Sequence, residues 1–337
     1  MGRLKRSNCS IPGIRRRRRG RGFEYVDELT GDRIEDAETL TRIAALAVPP
    51  AWTDVWICPD PQGHLQAVGI DDAGRRQYCY HDRWLERRAQ EKFDGMVRFA
   101  RALPEVRAVT DRHLRRRGLR RERVLGGAVR LLDLGFFRIG GEEYAEDNGT
   151  FGLATMRRRH VRLEPGGVVV FDFAAKGRKR HVQAVADRLV YRLVRELKER
   201  DGGGTELLAY RDGDGWRDVR STEINDYLKD LAGEDFTAKD FRTWNGTVLA
   251  AVALALAHPP ASERAQKQTI ARAVSEVAGY LGNTPAVARS AYIDPRVLDR
   301  FREGVTIVAA LDGAHAASLE EVEVRGAIEE AVLDLLD

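Results

Sequence analysis

The sequence predicts an α+β protein: a small amino-terminal antiparallel β-sheet domain with one helix, then a mainly α-helical domain containing a β-hairpin. Three observations carry this. Residues 23–80 hold short apolar runs broken by turn signals, whereas long amphipathic stretches begin at Trp84. Within those stretches, residues 161–173 alternate around the pair Gly166-Gly167 in the manner of a hairpin. At 337 residues the chain is long enough for two domains.

The first element is a basic arm, 1–22. Residues 1–21 carry nine Lys and Arg (Arg3, Lys5, Arg6, Arg15 to Arg19, Arg21) and no acid, so the rest of the chain is net acidic although the whole is +4. With little to bury and its charges repelling, the arm is expected to be flexible and to add affinity for a polyanion without choosing its sequence. The sheet domain follows over 23–82. Its strands are read at 55–58, 65–70 and 77–80, separated by Asp-Pro-Gln-Gly and Asp-Asp-Ala-Gly. A helix is read over 36–46, stopped by Val48-Pro49-Pro50.

The main helical domain spans 83–312, with helices expected at 84–102, 105–117, 121–133, 181–199, 221–231, 238–257, 262–281 and 295–303. A tight turn at Lys176-Gly177 follows the hairpin and presents a lysine at a strand end. Residues 313–337 form the last segment, an acidic helix over 319–336 whose Glu320, Glu321, Glu323, Glu329, Glu330 and Asp334 face Arg325 alone. Such a helix should face away from DNA or cover a basic surface.

Composition narrows the function. No run of eighteen apolar residues and no apolar leader is present, so a cytoplasmic protein is expected. Cys9, Cys58 and Cys79 are an odd set without CxxC or Cys/His spacing, which argues against a disulfide framework or a zinc site. Further basic clusters at 112–123, at Arg157, Arg158 and Arg159, and at 176–180 have the patterning of phosphate contacts. Taken alone they fit a nucleic-acid partner and a solvated face about equally.

Four segments carry possible chemistry. Gly135-Phe-Phe-Arg138-Ile-Gly-Gly puts an arginine just past an apolar helix, before a turn rich in Gly, Asn and Thr. Phe171-Asp-Phe-Ala-Ala-Lys176-Gly-Arg-Lys-Arg180 offers a lysine whose neighbours could make it a proton donor. Lys239-Asp-Phe-Arg242-Thr-Trp-Asn opens a helix. In Leu281-Gly-Asn283-Thr284-Pro285, continuing to Arg289-Ser-Ala-Tyr292, Thr284 and Pro285 start a helix that brings Tyr292 about two turns on. Each has a bland reading: a solvated arginine, a basic hairpin, a surface ion pair, a core tyrosine.

Together they suit one reaction. Tyrosine attack on a phosphodiester needs an activated phenol, neutralisation of a phosphorane and a proton for the departing 5′ oxygen. Two arginines, an amide and a lysine meet the last two needs. A metal nuclease would need carboxylates at ligand spacing, and an ATP-driven enzyme a GxxxxGK[ST] loop; no persuasive carboxylate group and no such loop stands in the sequence. Neither a metal nor a cofactor is therefore expected.

In order and spacing these segments resemble the poxvirus-type and bacterial type IB DNA topoisomerase family, from about Phe23 to Phe301. The resemblance implies that Tyr292 is the nucleophile of a 3′-phosphotyrosyl link and that Arg138 and Arg242 stabilise the pentacoordinate phosphate. It implies that Lys176, with Arg138, expels the 5′ hydroxyl. Position 283 departs: the family carries histidine where Asn283 stands. An amide donates a hydrogen bond but no positive charge, so slower cleavage with less pH dependence is expected from it. The resemblance also puts DNA contacts at Arg75, Arg76, Gln77, Tyr78 and Tyr80, at Tyr144, Asn148 and Thr150, and more weakly at Arg158 and His160.

The implied partner is double-stranded DNA, gripped by a monomeric two-domain clamp, nucleoid-associated and away from membranes. Two alternatives stay open: a tyrosine site-specific recombinase, against which Lys239-Asp-Phe-Arg242 stands in place of a His-x-x-Arg, and a non-enzymatic basic DNA-binding protein with a structural Tyr292.

Overall fold

The computed structural model describes residues 3–142, 149–233, 235–257, 262–312 and 322–337. The chain divides into two compact units, Met1–Asp94 and Gly95–Asp337. The division falls inside a helix, not at the 82–83 boundary expected from the change in residue pattern.

The first unit is a five-stranded antiparallel sheet in the order β2-β1-β3-β4-β5, built from β1 (Ile14–Arg19), β2 (Gly22–Asp27), β3 (Thr53–Ile57), β4 (Leu65–Ile70) and β5 (Arg76–Tyr80). Helix α1 (Ala37–Ala45) starts at Asp36, whose carboxylate accepts from the Thr39 N–H at 2.7 Å. Its Ile43 packs with Ile14, Val55, Ile57 and Ala67 on one face of the sheet. Trp56, Cys58, Leu65 and Val68 form a second cluster.

The arm is corrected here. Residues 14–19 are an inner strand, hydrogen-bonded to both β2 and β3. An arginine run repels itself in isolation, but a strand sends alternate side chains to opposite faces, where Arg15 and Arg16 find separate partners. Arg15 reaches Glu28 and Asp54 at 2.8 and 2.9 Å. Arg16 donates to the carbonyls of Val48, Pro49 and Trp52 and lies 4.2 Å from the Phe23 ring centroid.

The second unit contains most of α2 (Asp82–Leu114), then α3 (Arg121–Gly135), a three-stranded antiparallel sheet of β6 (Val161–Glu164), β7 (Val168–Ala175) and β8 (Lys179–Ala186), and α4 (Arg188–Glu199). A hairpin, β9 (Ala209–Asp212) with β10 (Gly215–Asp218), precedes α5 (Ser221–Ala232) and α6 (Ala238–Ala257). Helices α7 (Glu263–Leu281), α8 (Pro285–Ala291), α9 (Pro295–Arg302), α10 (Val308–Asp312) and α11 (Val322–Leu336) complete it.

Three expectations change. The two helices read at 84–102 and 105–117 are one, α2, with Pro104 inside. Phe99, Ala100, Leu103 and Val106 are all buried around the proline, and their burial offsets its cost of about 3 kcal/mol. The helix read at 181–199 begins only at Arg188, because residues 179–186 pair with β7 as a third strand. The β9–β10 hairpin turns on Asp212-Gly213-Asp214-Gly215 and was not anticipated.

The carboxy-terminal helix covers a basic surface. Arg300 and Arg296 donate to the carbonyls of Leu335 and Leu336, and Arg101 pairs with Asp337 at 2.9 Å. Its Arg325 and Glu329 join Arg107 and Asp133 in a closed network: Arg107 bonds Asp133 at 2.9 Å and Glu329 at 2.6 Å, and Arg325 bonds Asp133 at 2.7 Å.

Candidate active site

Arg138 is placed by its backbone. Helix α3 ends at Phe136, in the left-handed conformation with φ 54°, and the next residue, Phe137, is fully buried against Phe171 and Phe173 of β7. The strand-like segment after it is clamped by Leu153 N–H donating to Arg138 O at 2.9 Å and Ala154 N–H to Ile139 O at 2.7 Å. Gly140 and Gly152 allow this approach, since a Cβ on Gly152 would stand 2.4 Å from Gly140 Cα.

Arg242 sits in the first turn of α6 and is buried. Its guanidinium donates to Phe136 O and, at 2.8 Å, to Leu281 O. Arg138 donates to Gly282 O at 2.9 Å and to the Asn283 side-chain oxygen. Both arginines therefore hold carbonyls at the C-terminus of α7, which ends in left-handed Gly282 (φ 59°). A helix C-terminus has unpaired carbonyls and carries partial negative charge, so two cations settle there without a carboxylate.

Tyr292 follows α8 as its C-cap; that helix starts at Thr284 with Pro285 in its first turn, as the sequence indicates. The Arg242 guanidinium carbon lies 5.1 Å from the Tyr292 ring centroid. Helix α6 also fixes the tyrosine backbone. Thr247 Oγ1 lies 3.4 Å from Tyr292 O and accepts from Asp294 N–H at 3.1 Å, while Gly246 leaves room: a Cβ there would come within 2.7 Å of Tyr292 O. Arg242, Gly246 and Thr247 thus lie along one stretch of α6 facing the tyrosine.

The electrostatics are those of an uncompensated positive pocket. Burial and neighbouring Arg138 push Arg242 down to about 10, against a raising effect of Tyr292. Burial lowers Arg138 as well, again opposed by Tyr292. Two donors, Arg242 Nε and Asn283 Nδ2, are buried with no acceptor among the described residues. Such donors cost about 1–3 kcal/mol each unless a ligand oxygen meets them.

Not every sequence-derived candidate joins this cluster. Lys176 is exposed at the β7–β8 turn, where Gly177 (φ 78°) makes the bend, and has no hydrogen bond among the described residues. Thr150 is buried, with an unpartnered hydroxyl, beside the segment that clamps Arg138. Tyr144 and Asn148 lie outside the described residues. Arg158 is occupied: it donates to Arg200 O at 3.3 Å and Gly204 O at 2.7 Å. His160 accepts from Arg157 N–H at 3.2 Å and packs on Phe151.

On β5 the candidates divide between faces. Arg76, Tyr78 and Tyr80 are exposed, the two tyrosines stacked 6.0 Å apart. Gln77 alternates to the face of Cys79, which packs in the α1 cluster, and donates to Asp71 at 2.8 Å. Arg75 pairs with the same Asp71, whose carboxyl is held down at about 2 by Arg75 first and Gln77 among others.

Residues the sequence reading missed include Gly246, Thr247 and His181. His181, on β8, was assigned to a helix; the alternation of residues 179–186 was the available signal.

Residues 82–308 match the family described as eukaryotic DNA topoisomerase I, catalytic core, and residues 22–71 match the bacterial DNA topoisomerase IB amino-terminal domain. The chain is 28% identical over 303 residues to DNA topoisomerase 1B of Acanthamoeba polyphaga mimivirus, covering 87% of this chain and 88% of that one. It is 23% identical over 243 residues to DNA topoisomerase 1B of vaccinia virus (strain Copenhagen), covering 70% and 72%. The chain belongs to the type IB DNA topoisomerase family.

Proposed function

We propose that the protein relaxes supercoiled duplex DNA by cutting one strand with Tyr292 and resealing it, without metal or ATP. The observation that supports this best is the cluster of Arg138, Arg242 and Asn283 around Tyr292, with buried donors left over and, among the described residues, no carboxylate paired to either arginine.

The Tyr292 phenol gives up its proton to solvent water as its oxygen attacks phosphorus, the bond from phosphorus to the 5′ oxygen breaks, and a 3′-phosphotyrosyl link forms. Arg242, held in place by two carbonyls, and Arg138 face the charge that grows on the non-bridging oxygens. Lys176, exposed at the β7–β8 turn, gives a proton to the leaving 5′ oxygen when DNA is bound. The phosphotyrosyl ester conserves the energy of the bond it replaces, so the 5′ hydroxyl reseals the strand by the reverse steps. Arg76, Tyr78 and Tyr80 form an exposed face suited to the duplex backbone.

A duplex labelled on one strand, trapped during cleavage in EDTA, should carry protein on its 3′ end. Attachment to the 5′ end overturns this mechanism. Strand exchange between two duplexes at a fixed sequence would favour a recombinase.

A further inference from the structure

His181 stands near the two arginines of the site. It lies on β8 opposite Phe173, half-buried, with its ring set edge-on to Phe173 at 5.5 Å between centroids. A histidine in that place is ordinarily a packed core residue. Three facts argue otherwise here. Its Nδ1 would lie 3.7 Å from a Cβ on Gly282, and Arg138 Nη1 3.6 Å from the same point, so the two nitrogens approach the same side of the α7 C-terminus. The ring makes no hydrogen bond among the described residues, and its nitrogens are not among the sealed polar atoms. Burial first, then Arg138 and Arg242, lowers its pKa, which puts both guanidiniums within its electrostatic surroundings.

Asn283 has the opposite circumstances. Its oxygen is committed to Arg138, and what remains is an uncharged amide donor. We propose that His181 donates a ring N–H to a non-bridging oxygen of the scissile phosphate, beside Arg138, supplying from the hairpin the imidazole that position 283 lacks. The contact requires no proton transfer: a neutral imidazole carries one N–H donor. It also ties the hairpin that bears Lys176 to the phosphate, because Ala175 and Lys179 close the same β7–β8 turn.

This rests on the cleavage reading above, and the test separates the two. Single-turnover cleavage of a duplex is compared for wild type, His181→Ala and Tyr292→Phe, on phosphate and on each methylphosphonate diastereomer at the scissile position. His181→Ala should cleave the phosphate duplex about 10²-fold more slowly, the usual cost of one oxyanion donor. Its deficit should vanish on the diastereomer that lacks the contacted oxygen and persist on the other. Adding Asn283→His to His181→Ala should recover at least about 10-fold, as one imidazole replaces another. A phosphate rate within about 3-fold of wild type, an equal deficit on both diastereomers, or a double variant no faster than His181→Ala would each overturn the proposal. Full cleavage by Tyr292→Phe would overturn the choice of nucleophile while leaving the His181 comparison readable.

Discussion

Two clusters of arginine in the second unit solve the same problem in opposite ways. Arg107 and Arg325 are matched by Asp133 and Glu329, two carboxylates that they share, and the network joins α2, α3 and α11. Among the described residues, Arg138 and Arg242 are hydrogen-bonded to carbonyls at helix ends and to a side-chain amide, with no carboxylate partner. Full ionic pairing fixes architecture but leaves nothing for a ligand, whereas carbonyl pairing holds a guanidinium in place with its charge unspent. The second arrangement is the one an enzyme of phosphate chemistry needs. The response of the two arginine pairs to burial reflects it: Arg107 is raised despite desolvation, by Glu329 and Asp133, and Arg242 is lowered.

Changes in the two clusters should therefore separate stability from chemistry. The largest effect expected is that of Tyr292→Phe, which should cut strand cleavage by on the order of 10⁴-fold or more while leaving the thermal midpoint and duplex affinity unchanged. Cleavage near wild-type rate would break the contrast at its root. Asp133→Ala should do the reverse. It removes the buried carboxylate that Arg107 and Arg325 share, leaving them Glu329 alone, and should cost about 3–5 kcal/mol of stability by denaturant unfolding, with residual folded protein still able to form the covalent adduct. A loss under about 1 kcal/mol would show that the network contributes little.

Acid should act on the matched cluster too. Burial would raise the Asp133 carboxyl, but Arg325 and Arg107 outweigh it and hold it at about 2, below the ordinary 3.8. A carboxyl depressed on folding contributes stability that is present above its unfolded value and lost as pH falls through its folded value. About 2 kcal/mol should thus disappear between about pH 4 and pH 2, and Asp133→Asn should flatten unfolding curves in that window. Gly246→Ala carries the smallest expected effect. Its Cβ would crowd Tyr292 O, and about 1–2 kcal/mol of displacement should slow cleavage roughly 10-fold with little change in DNA binding. An unchanged cleavage rate would mean that α6 does not set the position of Tyr292.

Much of the fold and the site was legible in residue order. The switch from turn-broken apolar runs to amphipathic stretches marked the two halves, and Thr284-Pro285 marked the start of α8 before Tyr292. The Gly166-Gly167 turn, both residues at φ 82°, marked the β6–β7 hairpin. Where the reading failed, local signals were outvoted. Pro104 says helix end, yet buried neighbours carry α2 through it. Five consecutive arginines say unfolded arm, yet β2 and β3 supply hydrogen bonds on both edges and acids and carbonyls for the side chains.

The site divides along the same line. Sequence by itself determined which residue types were available: two arginines, a lysine, an amide and a tyrosine in a fixed order, each near an element end where capping and turn preferences are local. Tertiary structure alone decided which of them meet. The carbonyls that seat Arg138 and Arg242 belong to Leu281, Gly282 and Phe136, far from one or the other arginine in the chain, and no residue code announces a backbone oxygen. His181 came to stand beside Arg138 because β8 pairs with β7 in a register set by sheet hydrogen bonds between distant residues, which local periodicity cannot express.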